Sequence, residues 1–339
     1  MHFHNYKREI AMSDFYPFLF DPLLKHYLWG GRNLEKLGRE LPENTKVAES
    51  WEIAAHKDGM SIIKNGEYKG QTLGDLFSEL GESLVGSNNQ WALDRGKFPL
   101  LVKLIDANQS LSVQVHPDDG YAMTHEGNEL GKFEMWVIID AEPGAEIIYG
   151  FHEQIDKKTF REAVDNGTLG EFLHHIPIKK GDHICVPSRT IHAILEGALI
   201  AEIQQNSNTT YRVFDWNRLG DDGKPRELHL DKALDVINFT QVSASLPDVQ
   251  TFRRGDGWTS ERLCDNQYFT TERIRIENGG TYSGVCDGST LEIWGVLSGG
   301  VEVNDIELDP VNFVLLPAAL GPYTITVSDD SVLLRTFVR

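Results

Sequence analysis

Four side chains with the chemistry of metal ligands fall on three short strand-like stretches. In Ser112-Val-Gln114-Val-His116, side chains alternate between faces. Ser112, Gln114 and His116 therefore share one face, and Leu111, Val113 and Val115 the other. The same period in Lys132-Phe-Glu134-Met-Trp136 groups Lys132, Glu134 and Trp136. A Lys and a Glu beside a Trp are unusual for a core face and ordinary for an exposed one. His192 follows the Gly-Asp turn of GDHICVPSRT. Two neutral imidazoles and a carboxylate suit Zn, Fe or Mn, and an amide oxygen can complete the shell. By spacing alone, a chain with 12 His offers a plainer account, in which these are surface or satisfied core groups.

A second set lies just downstream. Glu202 and Gln204 alternate onto one face of LIAEIQQN, and Arg212 follows in TTYRVFDW. Arg212 could simply pair with Asp215 or cap a strand. An Arg facing a Glu in a barrel mouth would instead suit a phosphate and acid–base work.

These residues need a β framework. From about residue 98 the segments LLVKLIDA, LSVQVH, FEMWVIID, AEIIYG, HICVP and LIAEIQQN are short and rich in β-branched and aromatic residues. Gly, Pro, Asp or Asn separate them, which is all-β spacing. Residues 71–85 have apolar residues at helical spacing, 153–175 look like a helical insertion, and 227–240 are helical or mixed. Strands return from about 250 to the end. A weak echo links Glu134-Met-Trp136 to Glu292-Ile-Trp294, and VPSRTIHAI to LPAALGPYTI. Two jelly-roll barrels fit it, although on the echo alone chance similarity is the simpler account.

Composition narrows the function classes. The 339 residues include 51 acids against 32 bases, a formal net charge of −19. That disfavours non-specific nucleic-acid binding and docking to anionic lipid. It leaves an anionic small molecule open, because screening limits the reach of distant charge to about 8–10 Å. Cys185, Cys264 and Cys286 form no CxxC pair or disulfide framework, which points to a reducing, cytoplasmic compartment. No apolar run approaches the roughly 20 residues of a membrane span. The N-terminal stretch is interrupted by Pro17, Asp21 and Pro22 and does not read as a signal peptide. Met12 could be a second start, leaving residues 1–11 as a disordered extension.

Several ordered motifs resemble type I mannose-6-phosphate isomerase (phosphomannose isomerase), in its short bacterial and archaeal form. They are Trp29-Gly30-Gly31, Glu49-Ser50-Trp51-Glu52, PLLVKLIDANQSLSVQVHPDD (the most specific), GKFEMW, IHAILEGALIAEIQQNSNTTYRVFDWNR and GKPRELH. The resemblance runs from about Phe20 to the C-terminus. It implies a mainly β fold of two cupin-type jelly-roll barrels with helical insertions. The parts are a 1–19 extension, a 20–240 catalytic domain and a 250–339 metal-free β domain. It implies one zinc per chain, held by Gln114, His116, Glu134 and His192, and a pocket comprising Ser112, Lys103, Lys132, Glu202 and Arg212. The second barrel keeps Glu292 but has no Gln-x-His partner, and its counterpart to His192 falls near Tyr323.

The implied reaction is conversion of mannose 6-phosphate to fructose 6-phosphate through a cis-enediol. Glu202 is the expected base and Lys132 the alternative, if burial beside a metal favours its neutral form. Arg212, Ser112 and Lys103 are the candidate phosphate contacts; Arg212 could alternatively screen the enediolate. A non-catalytic cupin that binds a sugar phosphate is the rival, and an Fe-dependent oxygenase on the same barrel is another. Oligomeric state is left open.

Overall fold

In the computed structural model, residues 15–220, 223–240, 245–247 and 251–339 are described; residues 1–11 lie outside this set. The described chain opens with β1 (Phe18–Asp21). The first unit then uses β2 (Glu49–Ile53), β3 (Leu100–Ala107), β4 (Val113–Val115), β5 (Glu134–Ala141), β6 (His183–Val186), β7 (His192–Ile194), β8 (Ala198–Gln205) and β9 (Tyr211–Phe214). One antiparallel sheet runs β6-β5-β8-β3-β2 and ends on Leu23–Lys25. A second runs from Leu173–Pro177 through Glu146–Phe151 to β7, β4 and β9.

Alternation along these strands builds the core. Ile105, Trp136, Ile138, Ile184 and Ile200 of the first sheet pack against Ile147, Tyr149, Ile176 and Ile194 of the second. The two sheets therefore face each other as a jelly-roll sandwich. The opposite set of the first sheet, including Val102, Leu104, Met135, Val137, Leu199, Ala201 and Ile203, packs outward. It meets α1 (Leu73–Leu80) and the second unit's Leu263, Phe269, Ile293, Phe313 and Leu315. The first sheet is thus covered on both faces, and all of β8 is buried. Polar residues at Lys103, Glu134 and Glu202 are consequently interior, whereas alternation alone favoured an exposed face for the Lys132–Glu134–Trp136 set.

Helices are short. Thr72 accepts from the Asp75 N–H at the start of α1, and Gly81, with φ 50°, ends it. The expected 71–85 helix is thereby split, and Glu82–Val85 forms a separate turn of helix. The insertion supplies α2 (Lys157–Asn166), and α3 (Leu230–Val236) covers β9 and β4.

The second unit repeats the sandwich. It contains β10 (Trp258–Asp265), β11 (Glu292–Ser298) and β12 (Phe313–Leu316) in an eight-stranded sheet, faced by a four-stranded one across a shared core. Among the described residues, neither sandwich closes into a hydrogen-bonded barrel. β1 joins the units: Phe18 pairs with Leu315 of β12, and Phe20 with Ile63. Residues 18 and 19, grouped with the extension by sequence, are strand residues in the second unit's sheet.

Inside this second sandwich Glu292 is fully bonded. Arg335 approaches it through Nε at 2.8 Å and Nη2 at 2.5 Å, Tyr323 Oη donates at 2.7 Å, and Trp294 Nε1 donates at 2.9 Å. A guanidinium supplies the positive charge beside this carboxylate.

The expectation that the cysteines form no disulfide framework is corrected. Cys185 in β6 and Cys264 in β10 form a disulfide with Cα atoms 5.9 Å apart, and Cys286 is free and buried. The 79-residue separation hides the pair in the sequence. Only the docking of β6 against β10 brings the two together.

Two outcomes follow from these contacts. Denatured without reductant, the chain should expose one titratable thiol, and three after reduction. A Glu292→Gln variant leaves Arg335 without its main buried partner. Its unfolding free energy should fall by up to about 3–5 kcal/mol in a denaturant titration, while the folded protein keeps its first-unit site intact.

Candidate active site

Strand register brings the predicted residues together in two adjoining groups. In the facing sheet, Gln114 lies opposite His192 on one side and Arg212 on the other. In the first sheet, Glu202 lies opposite Lys103 on one side and Trp136 on the other. Glu134 begins β5, and His116 directly follows β4.

The first group is an imidazole–carboxylate cluster. His116, Glu134 and His192 are wholly buried, and their ligand atoms lie within 4.8 Å of one another. His116 Nε2 is 3.3 Å from Glu134 Oε1, and His192 Nε2 is 3.5 Å from Oε2. Each ring turns Nδ1 outward, His116 to the Thr209 carbonyl and His192 to that of Thr190, both at 2.8 Å. Those bonds place the Nδ1 protons on the backbone side and leave both Nε2 lone pairs facing Glu134, the arrangement metal-ligating histidines use. Neither Glu134 oxygen receives a hydrogen bond of good geometry. The Gln114 amide lies 3.4 Å from His192 Nε2, at the cluster's edge. Lys132 brings its ammonium against Glu134 Oε1 and within 3.1 Å of His116 Nε2. A positive charge is thus already drawn to the centre of the donor set, which fits a cation-binding site.

Electrostatics agree with this donor chemistry. Burial, then the Lys132 ammonium, pushes the His116 imidazole down to about 3, so it stays neutral. Burial likewise lowers His192. Burial alone would raise the Glu134 carboxyl, but Lys132 and His116 overcome it and hold the group well below the usual range. Neutral imidazoles and an ionised carboxylate are the protonation states that bind metal.

The second group surrounds Glu202. Its Oε1 accepts from Trp136 Nε1 at 2.8 Å, and its Oε2 lies 2.8 Å from Lys103 Nζ. Burial, then the nearby Glu134 charge, raises the Glu202 carboxyl above its ordinary value against the pull of Lys103 and Lys132. Burial works against the Lys103 ammonium, but Glu202 and Glu49 more than offset it and raise the group. Glu49 Oε2 lies 3.6 Å from Lys103 and accepts from Trp51 Nε1 at 2.6 Å.

One pocket of about 260 Å³ is bordered by Glu202 and Lys103 of the second group and by Gln114 and Lys132 at the edge of the first; His116, Glu134 and His192 lie behind that lining. Ser112, Lys103, Lys132, Gln114, Glu202 and Arg212 all line it. Arg212 does not pair with Asp215, as one reading of the sequence had it. Its Nη1 donates to the Glu227 carbonyl at 2.8 Å, and Asp215 is clasped by Arg218 and Arg226. Burial, then neighbouring Arg226, disfavours the Arg212 charge, as expected where two guanidinium groups share a pocket wall.

The wall also contains Tyr27, Trp29, Glu49, Asn208, Thr210 and Arg226, to which no role was assigned from sequence. Glu49 and Arg226 sit inside the ESWE and GKPRELH motifs, so a signal for them existed. Leu111, grouped with Val113 and Val115 by alternation, instead packs inward and lines the pocket, because regular strand pairing starts only at Val113.

A jelly-roll sandwich with a buried imidazole–carboxylate cluster beside a polar pocket defines a cupin-type protein with a candidate metal centre. Residues 18–133 match the model of the phosphomannose isomerase type I catalytic domain. The mannose-6-phosphate isomerase ManA of Bacillus subtilis (strain 168) is 45% identical over 226 residues, 67% of this chain and 69% of that one. A mannose-6-phosphate isomerase of Streptococcus mutans is 44% identical over 261 residues, 77% of this chain and 79% of that one. The crystal structure of the Bacillus subtilis mannose 6-phosphate isomerase superposes with TM-score 0.84 at 36% identity, covering 94% of this chain and 99% of that one. The fold also recurs in a mannose 6-phosphate isomerase bound with zinc and yttrium, with TM-score 0.72 at 16% identity, over 95% of this chain and 99% of that one. The chain belongs to the type I mannose-6-phosphate isomerase family.

The cluster makes a direct prediction. His116→Ala and His192→Ala should each strip divalent metal from protein purified without chelator, measured by elemental analysis. Unchanged metal content in both variants would place the site elsewhere.

Proposed function

We propose that this chain interconverts mannose 6-phosphate and fructose 6-phosphate, with Glu202 moving the proton. The observation that carries this reading is a buried carboxylate, raised above its ordinary value and held between Lys103 and Trp136, beside a metal-ligand cluster at one pocket. Related proteins named for this activity share most of the chain's length.

Zinc, at about one ion per chain and held by His116, Glu134, His192 and the Gln114 amide, would supply a Lewis acid for the sugar oxygens where negative charge develops. The chain's own groups do the rest. The aldose has an acidifiable hydrogen on C2, next to the C1 carbonyl. Glu202 takes it as a proton; the C–H electron pair becomes the C1–C2 double bond of a cis-enediol as the C1 oxygen gains a proton. Glu202 then delivers its proton to C1 while the C2 hydroxyl loses one, which balances the proton taken up at the C1 oxygen, leaving the ketose. A carboxyl raised by burial is better matched to accepting and returning a proton than an ordinary surface glutamate. Lys132 is the weaker candidate for the base, because its ammonium is engaged by Glu134 and His116.

Arg212, with Ser112 and Lys103, is the basic and polar wall for the phosphate. A planar guanidinium matches phosphate oxygens in pairs. This local positive charge offsets the chain's net −19 for an anionic substrate. The pocket volume of about 260 Å³ lies just below the usual range of small-molecule sites, about 300–1,000 Å³, which suits a sugar phosphate better than a polymer. No helix of the described residues is long and apolar enough to cross a membrane. A cytoplasmic location is part of this reading on the substrate alone, since a doubly charged sugar phosphate does not cross a bilayer unaided; the Cys185–Cys264 disulfide removes the cysteine argument for it. The catalytic part would be residues 20–240, with 250–339 as the metal-free domain whose Glu292 is already satisfied by Arg335.

Glu202→Gln keeps shape but removes the base. Its kcat should fall by about 10²–10⁴-fold with metal content retained and KM little changed. Near-normal kcat would end the Glu202 assignment. A wild-type chain that binds the sugar phosphate without turnover would favour the non-catalytic cupin. Arg212→Lys keeps charge but loses the fork, so KM should rise more than kcat falls if Arg212 binds phosphate in ground and transition states alike. A dominant loss of kcat would assign it to the enediolate instead.

A further inference from the structure

We propose that Trp136 is a positioning residue for this reaction: its indole N–H fixes the Glu202 carboxylate, while its ring braces His192, so one side chain sets the spacing between proton carrier and ligand cluster. The inference rests on Glu202 as the group that moves the proton.

Trp136 is fully buried in β5, two residues beyond Glu134 on the same inward face. It is the cross-strand neighbour of Glu202 in β8 and of Ile184 in β6, so backbone pairing fixes it on both sides. Its Nε1 donates to Glu202 Oε1 at 2.8 Å. Its ring meets the His192 imidazole edge to face, with centroids 5.4 Å apart at 72°. The remaining ring surface packs in the sandwich core with Ile138, Ile184 and Ile200.

The two partners of Glu202 are mechanically unlike. Lys103 reaches Oε2 through four flexible methylenes and is shared with Glu49. The indole has only two side-chain torsions, and both are locked by packing. Lys103 therefore supplies charge, and Trp136 supplies direction. Without the indole N–H, the carboxylate could rotate about its terminal bond and still keep its ion pair. Reacting groups must be held closely, and a displacement of about 1 Å can cost on the order of 10²-fold in rate.

Trp136→Phe keeps an aromatic ring in the core and removes the donor. We expect kcat to fall by about 10–100-fold, with KM, metal content and the circular dichroism spectrum unchanged. In the Glu202→Gln background the same substitution should leave the residual kcat unaltered, because nothing remains to be positioned; a merely structural Trp136 would lower both backgrounds alike. The indole N–H resonance of Trp136, assigned by its absence in Trp136→Phe or by selective labelling if that variant fails to fold, should shift when Glu202 is replaced by Gln. Normal kcat in Trp136→Phe with Glu202→Gln inactive would overturn the positioning role and leave the Glu202 reading standing. An indole resonance indifferent to Glu202→Gln would also overturn it. An active Glu202→Gln would instead remove the reading on which it rests.

Discussion

Lys103 and Glu202 face each other across two central strands of a sheet buried on both faces, and most of the site's architecture can be traced to that placement. Taking two charges out of water costs several kcal/mol per ion even after relaxation, and their mutual attraction repays it only with good geometry and further partners. The structure provides those partners in order. Glu49 closes on Lys103, Trp51 donates to Glu49, and Trp136 donates to Glu202. Each is set by strand register rather than by a loop. A site assembled this way is rigid, and Lys103 and Glu202 both reach the pocket wall.

The two sandwiches show the same carboxylate problem solved twice. Glu134 and Glu292 each begin a central strand, with a Trp two residues on. Around Glu292, the Arg335 fork, Tyr323 and Trp294 satisfy both oxygens from the chain itself. Around Glu134, two neutral imidazoles present lone pairs and only the Lys132 ammonium supplies positive charge. The Glu134 arrangement leaves donor capacity for a cation. The Glu292 arrangement uses it internally and so contributes to stability.

The second unit also buttresses the first. Leu263, Phe269, Ile293 and Leu315 cover the back of the sheet whose front carries Lys103, Glu134 and Glu202. β1 and the Cys185–Cys264 disulfide tie the two together, and Arg273 Nη1 donates to the Gly181 carbonyl ahead of β6. Without that cover, the outward residues Met135, Val137 and Ile203 would face water, and the strands that set the site's spacing would lose half their burial.

The sequence by itself determined the strands, the helical insertions and the family, because alternation and turn residues are local signals and the motifs around Gln114, Glu134 and Glu202 keep their order along the chain. Only the tertiary structure decided which polar faces were interior. A strand covered on both sides reads in sequence like one with a wet face whenever its buried polar residues are paired across strands, and Lys132, Glu134 and Trp136 are such a case. It also decided that Arg212 stands apart from Asp215, that Leu111 lines the pocket, and that Cys185 meets Cys264. Each depends on partners far away in the chain, and no period in the sequence encodes the register that joins them.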